Sequence, residues 1–231
     1  MGTGTDTTRA NESEGHRARL RARLLADADG LLDHELVEYL LALAMPRIDT
    51  KPHAKRLLAE FGSLGGLFAA DPESLLRVKG IGEGSIAALK IVNAVAVRML
   101  RGEIAARPIL SSWQALLDYL HVDMAHITVE RVRVLHLNTK NVLIRDELVS
   151  EGSIDQASVH VREVIKRAIE LGSAAIILVH NHPSGDPKPS REDVLLTRDI
   201  IEAGRRMSIE VHDHIIIGTH GHTSMRELGL I

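Results

Sequence analysis

The sequence predicts an α/β protein in two parts, an all-helical N-terminal domain followed by a C-terminal α/β sandwich with a mixed sheet. Three observations lead there. Through the first hundred residues apolar side chains recur at helical spacing. After a proline-bearing break at residues 102–108 the pattern changes to alternating strand-like runs interleaved with helical stripes. One of those runs, residues 174–179, leads straight into a His-x-His pair and a loop with three prolines and one glycine, which suits neither helix nor strand.

With 231 residues the chain has room for one or two domains, and the change of pattern favours two. Hydrophobic residues make up 45% but aromatics only 2%, so the core must be built from Leu, Ile, Val and Ala. The formal charge of -3 argues against broad attachment to phosphate backbones or anionic membranes, so any nucleic-acid contact must be local. Cysteine is absent, which excludes disulfides and thiolate metal sites and leaves His, Asp and Glu as ligands. No apolar run is long enough to span a bilayer, and the polar start lacks the apolar segment of a signal peptide. A cytoplasmic protein without membrane contact is the expectation.

Residues 1–14 are small, polar and aperiodic, and are expected to form a disordered tail. The helical domain spans 15–102. Its stripes are Leu20, Leu24 and Leu25, then Leu36, Tyr39, Leu40 and Leu43 ahead of Pro46, then Leu57, Leu58 and Phe61. Arg17, Arg19, Arg21 and Arg23 read as a solvated face. Residues 75–90 hold a Gly-apolar-Gly turn between two helical stretches, which resembles the helix-hairpin-helix element of DNA-binding proteins. There Gly80 and Gly82 would let the backbone approach a phosphate, and Lys79 and Lys90 would add charge. Against this, Glu83 lies beside the turn, and residues 1–107 carry 15 basic and 14 acidic side chains, a balance of only +1. Tight helix packing or protein binding explains the glycines equally well.

The second domain spans 108–231. Ser111 and Ser112 can cap a helix holding Trp113, a packing anchor, with Leu116, Leu117 and Leu120. Residues 130–138 and 141–149 alternate as two strands of a hairpin turning at Thr139-Lys140. A helical stripe from Val159 to Leu171, the strand before His180, a helix holding Asp193 and a last strand at 209–217 complete a β-β-α-β-α-β order.

The chemistry gathers at the third strand. His180 and His182 share one strand face, because side chains alternate with period two. Ser190 opens the next helix and Asp193 lies in its first turn, where the pair can form a capping box, serve a metal, or do both. Two histidines and one carboxylate around an open fourth position describe a catalytic zinc better than a closed structural one.

The pattern His180-x-His182-Pro183, six residues, Ser190, two residues, Asp193 resembles the JAMM (MPN-plus) metalloprotease motif. The longer string 180–186, with residues 189–193, 168–172 and 213–216, resembles the bacterial RadC family (UPF0758), and that resemblance covers nearly the whole chain. It implies a JAMM-type, cytidine-deaminase-like fold for 108–231 and a zinc metallopeptidase cutting an amide or isopeptide bond in a peptide or protein. His180, His182 and Asp193 would hold the metal, Ser190 would donate to the developing oxyanion, and Glu130, just ahead of the first core strand, would be the general base. Glu147, Glu151 and Glu163 are its rivals. Asn181 departs from the Ser or Thr of many JAMM enzymes, which points away from ubiquitin-like substrates. The family's link to DNA repair keeps open a DNA-associated factor with a structural or nucleolytic metal site, although two-metal nucleases need more carboxylates than this cluster offers. A second His-x-His, His212 and His214, is not expected to bind metal, since no ligand-spaced carboxylate follows and Asp213 faces the other way. His220 and His222 fall in a Gly-rich turn and should face solvent. The sequence does not fix an oligomeric state.

Overall fold

The structure, a computed structural model, describes residues 5–105, 107–152 and 159–231. The chain divides into two compact units, one ending at Ala94 and one running from Val95 to Ile231. Among the described residues no helix is long and apolar enough to cross a membrane.

The first unit is helical: α1 (Thr5–Ala26), α2 (Asp33–Ala44), α3 (Lys51–Phe61), α4 (Leu64–Ala69), α5 (Pro72–Arg77) and the start of α6 (Glu83–Ala105). Local chemistry sets the boundaries. Ser63 caps α4 by accepting from the Gly66 N–H, and Asp71 caps α5 by accepting from the Ser74 N–H, with Pro72 behind it. Val37, Leu41, Ala54, Leu57, Leu67, Leu75, Ile81 and Leu89 form one aliphatic core. On α2 the inward face is therefore that of Val37 and Leu41, while Leu43 is exposed, as is Leu25 on α1. Apolar residues surround α2 on most sides, so their spacing alone did not select the buried face.

Two expectations are corrected in this unit. Residues 5–14, expected as tail, belong to α1, because extending a helix already anchored at the buried Leu20 costs far less than starting one; residues 1–4 lie outside the described residues. The arginines are largely the solvated face expected, with Arg19, Arg21 and Arg23 exposed, although Arg17 donates to the carbonyls of Pro46 and Ile48 and Arg23 donates to both Glu35 oxygens. Lys90, a candidate phosphate contact, is half-buried, and its ammonium donates to the carbonyls of Phe68 (2.8 Å) and Ala70 (3.0 Å). It thus serves the C-terminal end of α4, where helix carbonyls lack partners.

The second unit begins within α6, so the expected linker at 102–108 is helical as far as Ala105. Val97, Leu100 and Ile104 lie at helical spacing, and they pack with Ile109, Leu116 and Leu120 instead of ending the helix. Then follow α7 (Trp113–Met124), β1 (Glu130–Leu137), β2 (Leu143–Gly152), α8 (Val161–Glu170), β3 (Ala175–Asn181), α9 (Arg191–Arg206), β4 (Glu210–Gly218) and β5 (Gly221–Ser224). The sheet order is β2-β1-β3-β4-β5; β3 and β4 are parallel and every other neighbouring pair is antiparallel. The order expected after α7 is present, with β5 as an unforeseen fifth strand whose His222 remains exposed.

One sheet face, with Leu135, Ile177, Val179 and Ile215, packs on α7; the other, with Val134, Ile176, Leu178 and Val211, packs on α8 and α9. All seven residues of β3 are buried, which explains its unbroken apolar run: a central strand covered on both faces has no solvent side to mark with polar residues.

Lys90→Met should lower the stability of the helical unit by about 1–3 kcal/mol, the usual cost of leaving partly buried polar groups without partners. Urea unfolding of the two proteins measures it; equal midpoints would mean that water serves the α4 carbonyls as well as Lys90 does.

Candidate metal centre

The site forms where β3 leaves the sheet. His180 pairs with Val132 on β1 and Ile216 on β4, at the end of the ladder, so its ring emerges from the apolar layer with only 1% of its side chain exposed. His182, two residues on, lies on the same face; its N–H is held by the Ile217 carbonyl (2.9 Å). The loop beyond it packs closely on β4: a Cβ at Gly218 would stand 2.2 Å from the Gly185 carbonyl oxygen, so only glycine fits there.

Helix α9 brings the carboxylate. The Asp193 N–H donates to Ser190 Oγ (3.1 Å), and the Ser190 N–H (2.7 Å) and hydroxyl (2.6 Å) donate to Asp193 Oδ2. The capping box is thus formed, yet Asp193 Oδ1 stands 3.4 Å from His180 Nε2 and Oδ2 stands 3.8 Å from His182 Nε2. The two ring nitrogens are 2.9 Å apart. Among the described residues, His180, His182 and Asp193 are the group able to hold a metal ion, with donor atoms all within 4.8 Å of one another.

The donors fit a cation. The Asp186 carbonyl, 2.8 Å from His182 Nδ1, can only accept, so Nδ1 carries the proton and Nε2 presents its lone pair to the cluster. Nearby charges register the same convergence. Burial lowers His180 to about 4, while the neighbouring Asp193 carboxylate raises His182 against its own burial. Burial works to raise the Asp193 carboxyl, but the neighbouring His182 and His180 rings and the Ser190 hydrogen bonds outweigh it and hold the group well below the usual range.

The cluster opens into a cavity of about 580 Å³ whose lining includes Glu130, Val132, Ser190 and Leu196. Burial raises the Glu130 carboxyl, opposed by the charge of His182. The rival glutamates are engaged elsewhere: Glu147 accepts from Arg167 at 2.8 and 2.9 Å, Glu151 accepts from Arg131 at 2.9 Å, and Glu163 lies 3.2 Å from Arg162. The two candidate lysines of residues 75–90 are placed differently. Lys79 is exposed, but Lys90 is turned to α4, and a Cβ at Gly80, where φ is +88°, would meet the His53 ring at 2.4 Å. The left-handed backbone is what favours glycine at Gly80, since the His53 ring tip could turn aside; Gly82 is open.

Sequence reasoning missed the structural roles of three residues. Asn181 is fully buried between the two histidines, and its side chain holds the segment before β1: Oδ1 accepts from the Arg131 N–H (2.9 Å), and Nδ2 donates to the carbonyls of Val129 (3.0 Å) and Ile127 (3.2 Å). The β1–β3 ladder stops at Val132 and His180, and the Asn181 amide takes over where it stops, fixing the backbone on both sides of Glu130. The other two are His214 and Thr197, both buried, stacked behind His180: His214 Nε2 lies 2.8 Å from His180 Nδ1, and Thr197 Oγ1 lies 2.6 Å from His214 Nδ1. Complete burial drives His214 well below the ordinary histidine range.

A family profile described as a RadC-like JAB domain matches residues 110–230, the portion that carries this site. The chain belongs to the RadC family. A UPF0758 protein of Rhodobacter capsulatus is 49% identical to it over 213 residues, which is 92% of this chain and all of that protein. Similarity to that relative thus extends beyond the domain matched by the RadC profile into the helical unit.

Asn181→Ala should destabilise the protein by about 1–3 kcal/mol for each of the three backbone groups that water does not reach. Asn181→Asp should fare no better, since it keeps an acceptor for the Arg131 N–H but sets a carboxylate oxygen against two carbonyls. Thermal unfolding of the three proteins checks this; an unchanged melting temperature in both variants would show that the clamp contributes nothing.

Proposed function

We propose that this chain is a zinc-dependent hydrolase, a metallopeptidase that adds water to an amide or isopeptide bond of a peptide or protein. The observation that carries it is the convergence of His180 Nε2, His182 Nε2 and Asp193 on one point of an open cavity that Glu130 also lines. Three N and O donors without a thiolate leave a fourth position for water, the donor pattern of catalytic zinc. Bound there, zinc would acidify that water and polarise a carbonyl.

The chain's own groups supply the rest. Glu130, raised by burial, is suited to take a proton from the attacking water and return it to the leaving nitrogen, because a group whose affinity lies nearer neutrality can do both. Ser190 is exposed at the rim, and turning its hydroxyl away from Asp193 Oδ2 frees one donor for the substrate oxygen while its oxygen still caps α9. A DNA-associated role through Lys79, Gly80 and Gly82 has less behind it, since Lys90 is withdrawn into the helical unit.

Protein purified without added metal should carry about one zinc per chain, and His182→Ala should lose most of it. Glu130→Gln should keep the metal and lose turnover on peptide and isopeptide substrates, and Ser190→Ala should slow turnover by ~10²–10³ with metal retained. Elemental analysis decides the first step: a metal-free wild type whose thermal stability zinc does not alter would end the hydrolase reading.

A further inference from the structure

We propose that Thr197 and His214 act as positioning residues that fix which nitrogen of His180 faces the metal, through a one-way chain of protons ending on the Asp193 backbone carbonyl. The inference rests on the metal reading above, and its first support is a backbone irregularity. In the parallel β3–β4 pairing Ile176 is opposite Val211 but Ile177 is opposite Asp213, so His212 is an extra residue in β4. A bulge of this kind re-aims every side chain beyond it. Without it, His214 would fall on the α7 face. With it, His214 is opposite Leu178 and faces the α8 and α9 side, directly behind His180. His212 goes elsewhere, 2.6 Å from the Asn141 side chain.

The direction of the protons follows from counting donors. Thr197 Oγ1 makes two short contacts, to the Asp193 carbonyl oxygen (2.6 Å) and to His214 Nδ1 (2.6 Å). Two such atoms come that close only with a hydrogen between them. A carbonyl oxygen has none to give, so the single Thr197 hydroxyl hydrogen points to Asp193, and the hydrogen of the second contact belongs to His214 Nδ1. A neutral His214 with its proton on Nδ1 has a bare Nε2. The 2.8 Å contact from that Nε2 to His180 Nδ1 then needs the His180 Nδ1 proton, which leaves the lone pair of His180 Nε2 facing His182 and Asp193. His180 reaches through two buried side chains the state that His182 reaches directly from the Asp186 carbonyl.

The chain also closes a loop. Its last acceptor is the backbone carbonyl of Asp193, whose side chain is a ligand in the same cluster. The helix that delivers the carboxylate therefore also orders the ring that the carboxylate faces. Partners of this kind orient metal-bound histidines in general, and their removal typically weakens metal binding 10–100-fold.

Thr197→Val keeps the volume and removes the hydroxyl, leaving the His214 Nδ1 proton without an acceptor; Thr197→Ser keeps it. Zinc affinity measured by competition with a chelator should fall roughly 10–100-fold in Thr197→Val and stay within about threefold of wild type in Thr197→Ser. Nitrogen-15 NMR of the histidine rings in zinc-loaded wild type should show protons on Nδ1 of both His180 and His214. Equal affinity in Thr197→Val, or a proton on Nε2 of His214, would overturn the proposal even with zinc firmly bound, whereas a wild type that binds no zinc would overturn the metal reading itself. Should Thr197→Val fail to fold, the ring protonation pattern of the wild type still decides.

Discussion

Burial of β3 on both faces is the constraint from which the rest of the C-terminal unit follows. Residues 175–181 are all buried, flanked by β1 on one side and β4 on the other and covered by α7, α8 and α9. A polar side chain inside such a strand must find a partner or be very costly. The strand therefore stays aliphatic until its last residues, and its chemistry is confined to one end. His180 and Asn181 both lie at that end, one turned to the cavity and the other to the backbone before β1. A single strand terminus thus positions one ring of the candidate metal cluster and the segment holding Glu130, which is 50 residues away in sequence.

The helix α9 contributes through its first turn. Capping demands an acceptor on Ser190 and a carboxylate three residues later, and the same carboxylate keeps one oxygen turned to the histidines. A negative charge at a helix N-terminus is also favoured by the helix dipole, which adds to the hydrogen bonds that hold Asp193 ionised despite its burial. Capping and ligation do not compete here. The cap holds the side chain with Oδ1 towards His180, so the bonds that begin α9 also order one member of the cluster.

What sequence spacing reveals is what local geometry determines. The period-two rule brings His180 and His182 to one face, and the Ser190 to Asp193 interval places the carboxylate in the first turn of α9, because each depends only on its own element. The features that spacing missed depend on a distant partner. Whether Lys90 binds phosphate or caps α4 depends on carbonyls some 20 residues earlier. Whether Asn181 matters depends on where the β1 ladder stops. The face of His214 depends on an extra residue in β4, and register belongs to a pair of strands and not to either sequence alone. The strand β5 is four residues long and rich in small and polar groups, too short for alternation to stand out.

The two histidines of the cluster are ordered by different means with a common logic. Each line of protons ends on a backbone carbonyl, that of Asp186 for His182 and that of Asp193 for His180. Unlike a carboxylate or a second imidazole, a carbonyl does not gain or lose a proton in the ordinary pH range, so it accepts under every condition in which the protein is folded. Routing the order of His180 through His214 and Thr197 buries that dependence entirely, beyond the reach of solvent that would otherwise offer the ring another partner. A polar chain in a core is tolerable only when every member is satisfied, and here each hydrogen has one acceptor. The arrangement therefore spends core volume that Leu or Val could fill, in return for a ring held in one orientation and one tautomer at the edge of an open cavity.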